Sequence, residues 1–211
     1  MKVAHEKRAA YRDWTYWGKP VPGFGDPDAE LVLIGLAPGA HGSNRTGRMF
    51  TGDGSGKFLY GALHRAGFAN QPDASSRDDQ LKLHNCFITA VGRCAPPDNK
   101  PTPKELLNCR PFLREELRLL KNTRTVLALG KIAFDQYLDL LKDEKLLTSR
   151  KGLEFKHGAS YSLPTPLPQL FASYHPSQQN TLTGRLTMTM MDDVLQQIIR
   201  YLKYKPDVFS S

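Results

Sequence analysis

The chain has 211 residues, enough for one α/β domain with a full core, and its hydrophobic content of 40% excludes a disordered protein. No apolar run approaches the ~20 residues that a membrane-spanning helix needs, and Met1 to Arg8 contain no apolar stretch typical of a secretory signal. The net charge of +8 favours a polyanionic partner such as nucleic acid, with general solubility as an equal alternative. We therefore expect a cytoplasmic protein that does not contact a membrane.

The amino-terminal part predicts a helix, an aromatic patch and a connector. Helix-forming and strongly charged residues at 2–12 predict an amphipathic helix. Trp14, Tyr16 and Trp17 follow closely, and we expect the tryptophans to pack in the core, with direct nucleic-acid contact as the less favoured alternative. Residues 18–28 are rich in proline and glycine and predict an extended connector.

The next stretch, residues 31–53, organises the rest of the chain. Its apolar start predicts a buried strand that ends at Gly35, and a loop of glycines and small residues follows. Such a strand presents bare backbone N–H groups at its carboxyl end, where open α/β sheets bind ligands. Arg45 and Arg48 add positive charge, and Phe50 adds a flat apolar surface. The stretch suits a nucleobase on a phosphate backbone, although glycines alone would indicate only a strand-to-helix turn.

The remaining chain alternates strands and helices. The capping box Thr102-Pro103-Lys104-Glu105 begins one helix, and Ser55 could cap another. A surface loop is predicted at 70–80. The proline-rich segment at 152–168 is predicted to leave the sheet, and part of it could form a hairpin. Helices are predicted at residues 55–66, 102–120, 132–142 and 188–204, and strands at 84–91, 125–129 and 169–174. This alternation predicts one domain, residues 1–211, with a three-layer α/β/α fold around a central four-stranded parallel sheet.

Two long motifs, in order, carry a resemblance. The first reads GLAPGAHG at 35–42, NRTGR at 44–48 and FTGD at 50–53; the second reads HPSQQNT at 175–181 and TGR at 183–185. With a match over nearly the whole chain, they resemble the uracil-DNA glycosylase superfamily, in its type b branch, also called family 5. The resemblance implies the uracil-DNA glycosylase-like fold. It also implies a monofunctional repair enzyme that flips deaminated bases out of duplex DNA and hydrolyses the N-glycosidic bond, leaving an abasic site. Uracil is the implied target, with hypoxanthine and xanthine also accepted.

An enzyme that acts on a base must take it out of the stack and stabilise the charges that form as the bond breaks. The resemblance implies that Phe50 stacks on the flipped base. It also implies that His175, at the carboxyl end of a strand, stabilises the oxygen of the leaving base. The further pocket positions of the first motif are Gly35, Ala37, Gly39 and Ala40.

Two polar groups that related branches use are missing here. Ala40 stands where they place the acid or amide that activates water, and Ala90 stands where an asparagine reads the edge of uracil. Asp53 is the nearest carboxylate, and it could orient water, stabilise a cationic sugar or merely cap a loop. Asn99 could supply an amide instead. Without the asparagine that hydrogen-bonds the edge of uracil, base selectivity should be looser. This agrees with the range of bases that the type b branch accepts.

The segment at 178–185 is predicted to enter the DNA. Gln178 and Gln179 could replace the hydrogen bonds of the orphaned partner base, and Leu182 could wedge into the stack. The candidates for phosphate contacts are Arg45, Arg48 and Arg185. For each arginine, a solvated surface charge is the alternative. The expected partner is duplex DNA that contains deaminated bases, bound by a monomer.

The chain has three cysteines, an odd number typical of a reducing compartment rather than of a disulfide framework. Superfamily types a and b hold a 4Fe-4S cluster on four cysteines, and Cys94 and Cys109 match the downstream pair. The upstream pair has no counterpart, and two thiolates cannot hold such a cluster in the usual way. We expect an absent or incomplete cluster, and favour a longer natural amino end over true loss. Cys86, inside a predicted strand, indicates core packing.

Two alternatives to an active glycosylase are considered. The first is a lesion-binding DNA protein with little or no turnover, because half of the cluster site is missing. The second is an unrelated nucleotide-binding α/β domain, which the long double motif disfavours. Base release from a uracil-containing duplex would separate an active enzyme from the lesion-binding protein.

Overall fold

The computed structural model describes residues 2–203, with the side chain of Lys2 left out. The strands are β1 (Phe24–Gly25), β2 (Leu31–Gly35), β3 (Cys86–Ala90), β4 (Thr125–Leu129), β5 (Ser160–Tyr161) and β6 (Gln169–Ser173). The helices are α1 (Lys2–His5), α2 (Ser43–Thr46), α3 (Gly54–Arg65), α4 (Pro103–Leu119), α5 (Lys131–Asp143), α6 (Gln178–Leu182) and α7 (Met188–Lys203). Short 3-10 turns occur at Ala9–Tyr11 and Pro97–Asn99.

These strands form one sheet in the order β1-β3-β2-β4-β6-β5. The four central strands are parallel, as predicted, while β1 and β5 pair antiparallel at the edges. The sheet is therefore six-stranded and mixed rather than four-stranded. β1 lies within the predicted connector, and β5 orders part of the proline-rich excursion by pairing with β6. Each edge strand is too short to show a hydrophobic period in the sequence.

The core has two halves because successive side chains of a strand point to opposite faces of the sheet. Leu31 and Leu33 of β2 are fully buried in the half that contains residues of α3 and α7. Val32 and Ile34 are fully buried in the half that contains residues of α4 and α5. This arrangement confirms the three-layer α/β/α fold. It also brings the carboxyl ends of the parallel strands to one edge of the sheet.

The start of α3 differs from the prediction. Asp53, not Ser55, is the N-cap: its backbone is extended and its carboxylate accepts a hydrogen bond from the Gly56 N–H at 2.9 Å. The helix begins at Gly54, so Ser55 already lies inside it. The capping box of α4 forms as predicted, with Thr102 as the cap and Glu105 as its partner.

The predicted helix at 2–12 was wrong. The structure has only α1, followed by the 3-10 turn Ala9–Tyr11, because Tyr11 and Trp14 stack on a buried arginine instead of continuing a helix. Trp14 remains 37% exposed, so the expectation that it packs in the core was also wrong, whereas Trp17 does pack against the core. We call residues 9–18 the amino-terminal strap.

The helices named above all lie within residues 2–203. None of these helices combines the length and the apolar character that crossing a bilayer requires.

Candidate active site

Phe50 and His175 meet at the carboxyl edge of the sheet. His175 is the second residue after β6, separated from it by Tyr174. Phe50 lies in the loop region after β2. Their ring centroids are 5.7 Å apart with the planes 32° from each other. Gly35, the last residue of β2, lies against the Phe50 ring, since a Cβ at this position would stand 2.9 Å from it. The structure thus brings together an aromatic surface, an imidazole and a bare backbone from segments far apart in sequence.

His175 is a largely enclosed imidazole. Its backbone carbonyl accepts a hydrogen bond from the Asn180 side-chain amide at 2.8 Å, which ties the residue to α6. Burial lowers the pKa of His175 to about 4, because a charged imidazolium would be poorly solvated there. The ring is therefore neutral at pH 7 and has one N–H to donate. Asn180 was missed as a supporting residue, although its place five positions after His175 in the motif was visible.

Asp53 caps α3 and also lies against the glycine-rich loop. One carboxylate oxygen caps α3 through the Gly56 N–H. The other lies against the glycine-rich loop, so close to Gly42 that any side chain there would collide with it. Burial raises the pKa of Asp53, opposed by hydrogen bonds from backbone N–H groups and by the charge of Arg45. The carboxylate is thus held by α3 and faces the loop that contains Ala40.

The other positions predicted to line the base pocket are small residues. Gly35 pairs in register with Ala90 on β3, and Ala90 is 2% exposed. Ala37 and Gly39 are half-buried in the loop, as is Ala40. Neither alanine at the positions discussed above can hydrogen-bond a base edge or a water through its side chain.

Asn99 lies on the exposed 3-10 turn Pro97–Asn99 that follows β3. Its φ of 56° is in the left-handed region, which asparagine tolerates better than most residues. The amide role suggested for Asn99 stays a prediction.

Arg45 and Arg48 point inward. Each is only 4% exposed. Arg48 forms an ion pair with Asp79 at 2.7 Å and donates to the Thr51 hydroxyl at 2.9 Å. Arg45 donates to two backbone carbonyls of its own loop. Because buried and internally bonded guanidinium groups are turned away from a surface-bound strand, the geometry contradicts the phosphate role predicted for both.

The exposed arginine of the three is Arg185, with its guanidinium 4.7 Å from the centroid of the Tyr174 ring. It contributes to a cavity of about 280 Å³ beside His175. Lys131, at the start of α5, lines the same cavity, and its ammonium forms an ion pair with Asp135. An exposed guanidinium beside this cavity could contact an anion, and the phosphate contact of Arg185 stays a prediction.

The second motif forms an exposed helical turn next to the pocket. The hydroxyl of Ser177 caps α6, and Gln178 lies against Gly54 at the start of α3. Gln178 and Gln179 are exposed. Leu182 ends α6 with 83% of its surface exposed, the highest fraction among the exposed large hydrophobic side chains of residues 2–203. The turn thus presents an apolar tip with amides beside it.

The three cysteines lie in different environments, and this bears on whether they could hold a 4Fe-4S cluster. Cys94 is exposed after β3, and Cys109 is half-buried on α4. Burial raises the pKa of the Cys94 thiol, as do the nearby Cys109 and Glu105. Within residues 2–203, no group of three or more histidine, cysteine, aspartate or glutamate side chains could hold a metal ion. The described residues alone therefore do not fit a four-cysteine cluster. Cys86 is fully buried in β3, where it was predicted to pack.

Comparison with known proteins places this geometry in a family. The sequence model of the uracil DNA glycosylase superfamily matches residues 22–203. A type-5 uracil-DNA glycosylase of Thermus thermophilus is 50% identical over 92% of this chain and 85% of its own length. The chain belongs to the type-5 branch of this superfamily. A type-5 uracil-DNA glycosylase of Mycobacterium tuberculosis is 48% identical over 93% of this chain and 72% of its own length.

Type-5 membership also distinguishes the chain from a neighbouring branch. A type-4 uracil-DNA glycosylase of Archaeoglobus fulgidus is 31% identical over 62% of this chain and 58% of its own length. The type-5 relatives match more of the chain at higher identity. These matches confirm the family 5 resemblance and identify the chain as a glycosylase enzyme.

Proposed function

We propose that this glycosylase removes deaminated bases from duplex DNA by hydrolysing the N-glycosidic bond, and leaves an abasic site for repair. The observation that carries the proposal is the Phe50–His175 pair at the carboxyl edge of the sheet. An aromatic ring beside a buried neutral imidazole suits a planar base whose oxygen gains negative charge as it departs. The names of the type-5 relatives support uracil as one target and DNA as the substrate.

The chemistry follows from what each group can do. The base, flipped from the duplex, stacks on Phe50, and an N–H of His175 donates to its developing oxyanion. A neutral donor gains strength as negative charge grows, so it stabilises the transition state more than the bound substrate. Asp53 faces the loop of Ala40 and stabilises the cationic sugar or orients the attacking water. Backbone dipoles of the glycine-rich loop complete the site.

Loose base selectivity is part of the proposal. Discrimination against a wrong base requires polar site groups that the wrong base leaves unpaired. Ala40 and Ala90 supply no such groups through their side chains, and Phe50 stacks on purines as well as pyrimidines. We therefore include hypoxanthine and xanthine with uracil among the substrates.

The DNA-facing parts support a monomer that acts on duplex DNA. Leu182 would fill the gap left by the flipped base, with Gln178 and Gln179 beside the orphaned partner. Arg185 would contact phosphate. The pocket and the wedge belong to one chain, which supports action as a monomer. The low cysteine content supports the reducing cytoplasm as its compartment.

The test is single-turnover excision from duplexes that contain uracil, hypoxanthine or xanthine. We expect release of all three, and a loss of ~10²-fold or more in rate for His175→Ala with little change in DNA affinity, because the lost interaction belongs to the transition state. His84→Ala, at an exposed histidine outside the site, is the matched control. Strict uracil specificity would refute the loose pocket. Lesion binding without base release would instead support the lesion-binding protein.

A further inference from the structure

Arg45 occupies the centre of the loop that carries the candidate site. Its Nε donates to the His41 carbonyl at 2.8 Å, and its Nη2 donates to the Gly52 carbonyl at 2.8 Å. One rigid guanidinium therefore joins two points of the loop that lie on either side of Phe50. Asp53 follows Gly52 directly. The position of the aromatic floor and the start of α3 are both coupled to this side chain.

Two aromatic rings of the strap cover the faces of the same guanidinium. The Arg45 Cζ lies 4.2 Å from the centroid of the Tyr11 ring and 3.9 Å from that of Trp14. Stacked rings leave the edges of the guanidinium as its hydrogen-bonding positions, so they direct its Nε and Nη2 toward the loop carbonyls, while Nη1 is buried without a hydrogen-bond partner. Trp14 forms the outer cover, with 37% of its surface exposed.

The strap also holds the backbone of this loop. The Trp17 N–H donates to the Arg45 carbonyl at 3.0 Å, and the Gly18 N–H donates to the Asn44 carbonyl at 3.1 Å. The Tyr16 hydroxyl and the His41 ring nitrogen Nδ1 are hydrogen-bonded at 2.8 Å. The strap therefore contacts the loop through its backbone, through His41 and through both faces of Arg45.

From these contacts we propose that Arg45, clamped by the strap, is a positioning residue that holds Phe50 and Asp53 in place for base excision. The inference rests on the proposed function. Phe50 has a φ of 52°, a conformation that an aromatic residue adopts only when its surroundings enforce it. Loosening the two carbonyl contacts of Arg45 would let this backbone relax and move the ring away from His175.

Arg45→Lys is the first test, because lysine keeps the charge but cannot bond two carbonyls from a planar group or stack on two faces. We expect the single-turnover rate on a uracil duplex to fall about tenfold while duplex affinity stays within about threefold. Arg124→Lys is the matched control: Arg124 also lies over a ring, that of Tyr201, and donates to the Leu202 carbonyl, at the opposite edge of the sheet. It should keep the wild-type rate.

A second pair of variants leaves Arg45 itself unchanged. The double variant Tyr11→Leu with Trp14→Leu removes both aromatic rings from Arg45. The double variant Tyr11→Phe with Trp14→Phe keeps an aromatic ring at each position. We expect the leucine pair to slow excision about fivefold and the phenylalanine pair to stay within about twofold of wild type. Because Tyr11 and Trp14 are partly or largely exposed, these variants should fold even if Arg45→Lys does not.

Hydrogen exchange measures the loop without relying on activity. In Arg45→Lys and in the leucine pair, amides of residues 41–53 should exchange faster than in wild type, while those of α7 should not change. Unchanged exchange at 41–53, or a wild-type excision rate in both variants, would overturn the positioning role. A parallel loss of affinity and rate would assign Arg45 to DNA binding instead. A wild-type chain that releases no base would refute the proposed function alone.

Discussion

The imidazole of His175 is uncharged at neutral pH, and in the proposed reaction it would act as a neutral donor. Burial holds its pKa at about 4, well below the ordinary histidine value of about 6.5, and the Phe50 ring covers one side of it. A neutral N–H donor in an enclosed site does not attract a counter-ion before the substrate arrives. It can therefore respond to the negative charge that develops only as the glycosidic bond breaks.

The same burial predicts a pH dependence of stability. In the unfolded chain, His175 becomes protonated as the pH falls below 6.5. In the folded chain it becomes protonated only near pH 4. Stability should therefore fall through this window and then level off. In urea unfolding, wild type should lose on the order of 2–3 kcal/mol more than His175→Gln between pH 7 and pH 4. Parallel pH curves for the two proteins would contradict this. His41 and His157, whose pKa values burial also lowers, contribute equally to both.

The directions of side chains were harder to predict than their identities. Phe50 and His175 could be named as site residues from the sequence, because both lie in the motifs that carry the family resemblance. Arg45 and Arg48 were predicted to face DNA, because a loop sequence does not show which way a long side chain turns. Their actual partners, aromatic rings and a carboxylate from other segments, are set by the tertiary structure.

The start of α3 offers a way to separate capping from chemistry at Asp53. Asparagine caps a helix about as well as aspartate, so Asp53→Asn should unfold at nearly the wild-type temperature, whereas Asp53→Ala should lose about 1 kcal/mol. If the carboxylate acts on the sugar or the water, both variants should slow single-turnover excision about tenfold. Thermal unfolding and excision kinetics of the two variants together decide the matter. A wild-type excision rate in Asp53→Asn would show that the carboxylate of Asp53 caps α3 and has no role in the chemistry.

Regular elements were predictable where their patterns were long. The four parallel strands are runs of apolar residues bounded by glycine or polar residues, and the capping box marks α4 without ambiguity. The edge strands β1 and β5 contain two residues each, too few for any period. Residues 2–12 were mistaken for one helix because tertiary contacts override helix propensity, here the stacking of Tyr11 and Trp14 on Arg45.

The molecule presents one apolar tip beside its pocket, and Leu182 can be tested without risk to the fold. With 83% of its surface exposed, its truncation should leave the unfolding free energy within about 0.5 kcal/mol of wild type. If it wedges into the stack, Leu182→Ala should slow excision from duplex DNA about tenfold and from single strands little, because single strands need no gap filled. Leu146→Ala, at an exposed leucine after α5, is the control. Equal effects on both substrates would exclude the wedge.

Because Cys86 is fully buried in β3, the number of thiols that a reagent can modify reports whether the molecule is folded. Cys94 is exposed and Cys109 half-buried, so a thiol reagent reaches two positions on the native protein. Cys86 lies opposite Leu31 in the middle of the sheet, and burial raises its pKa, which suppresses the reactive thiolate. Modification of a third thiol therefore requires the half of the core that contains Cys86 and residues of α3 and α7 to open, and its rate measures how often this opening occurs.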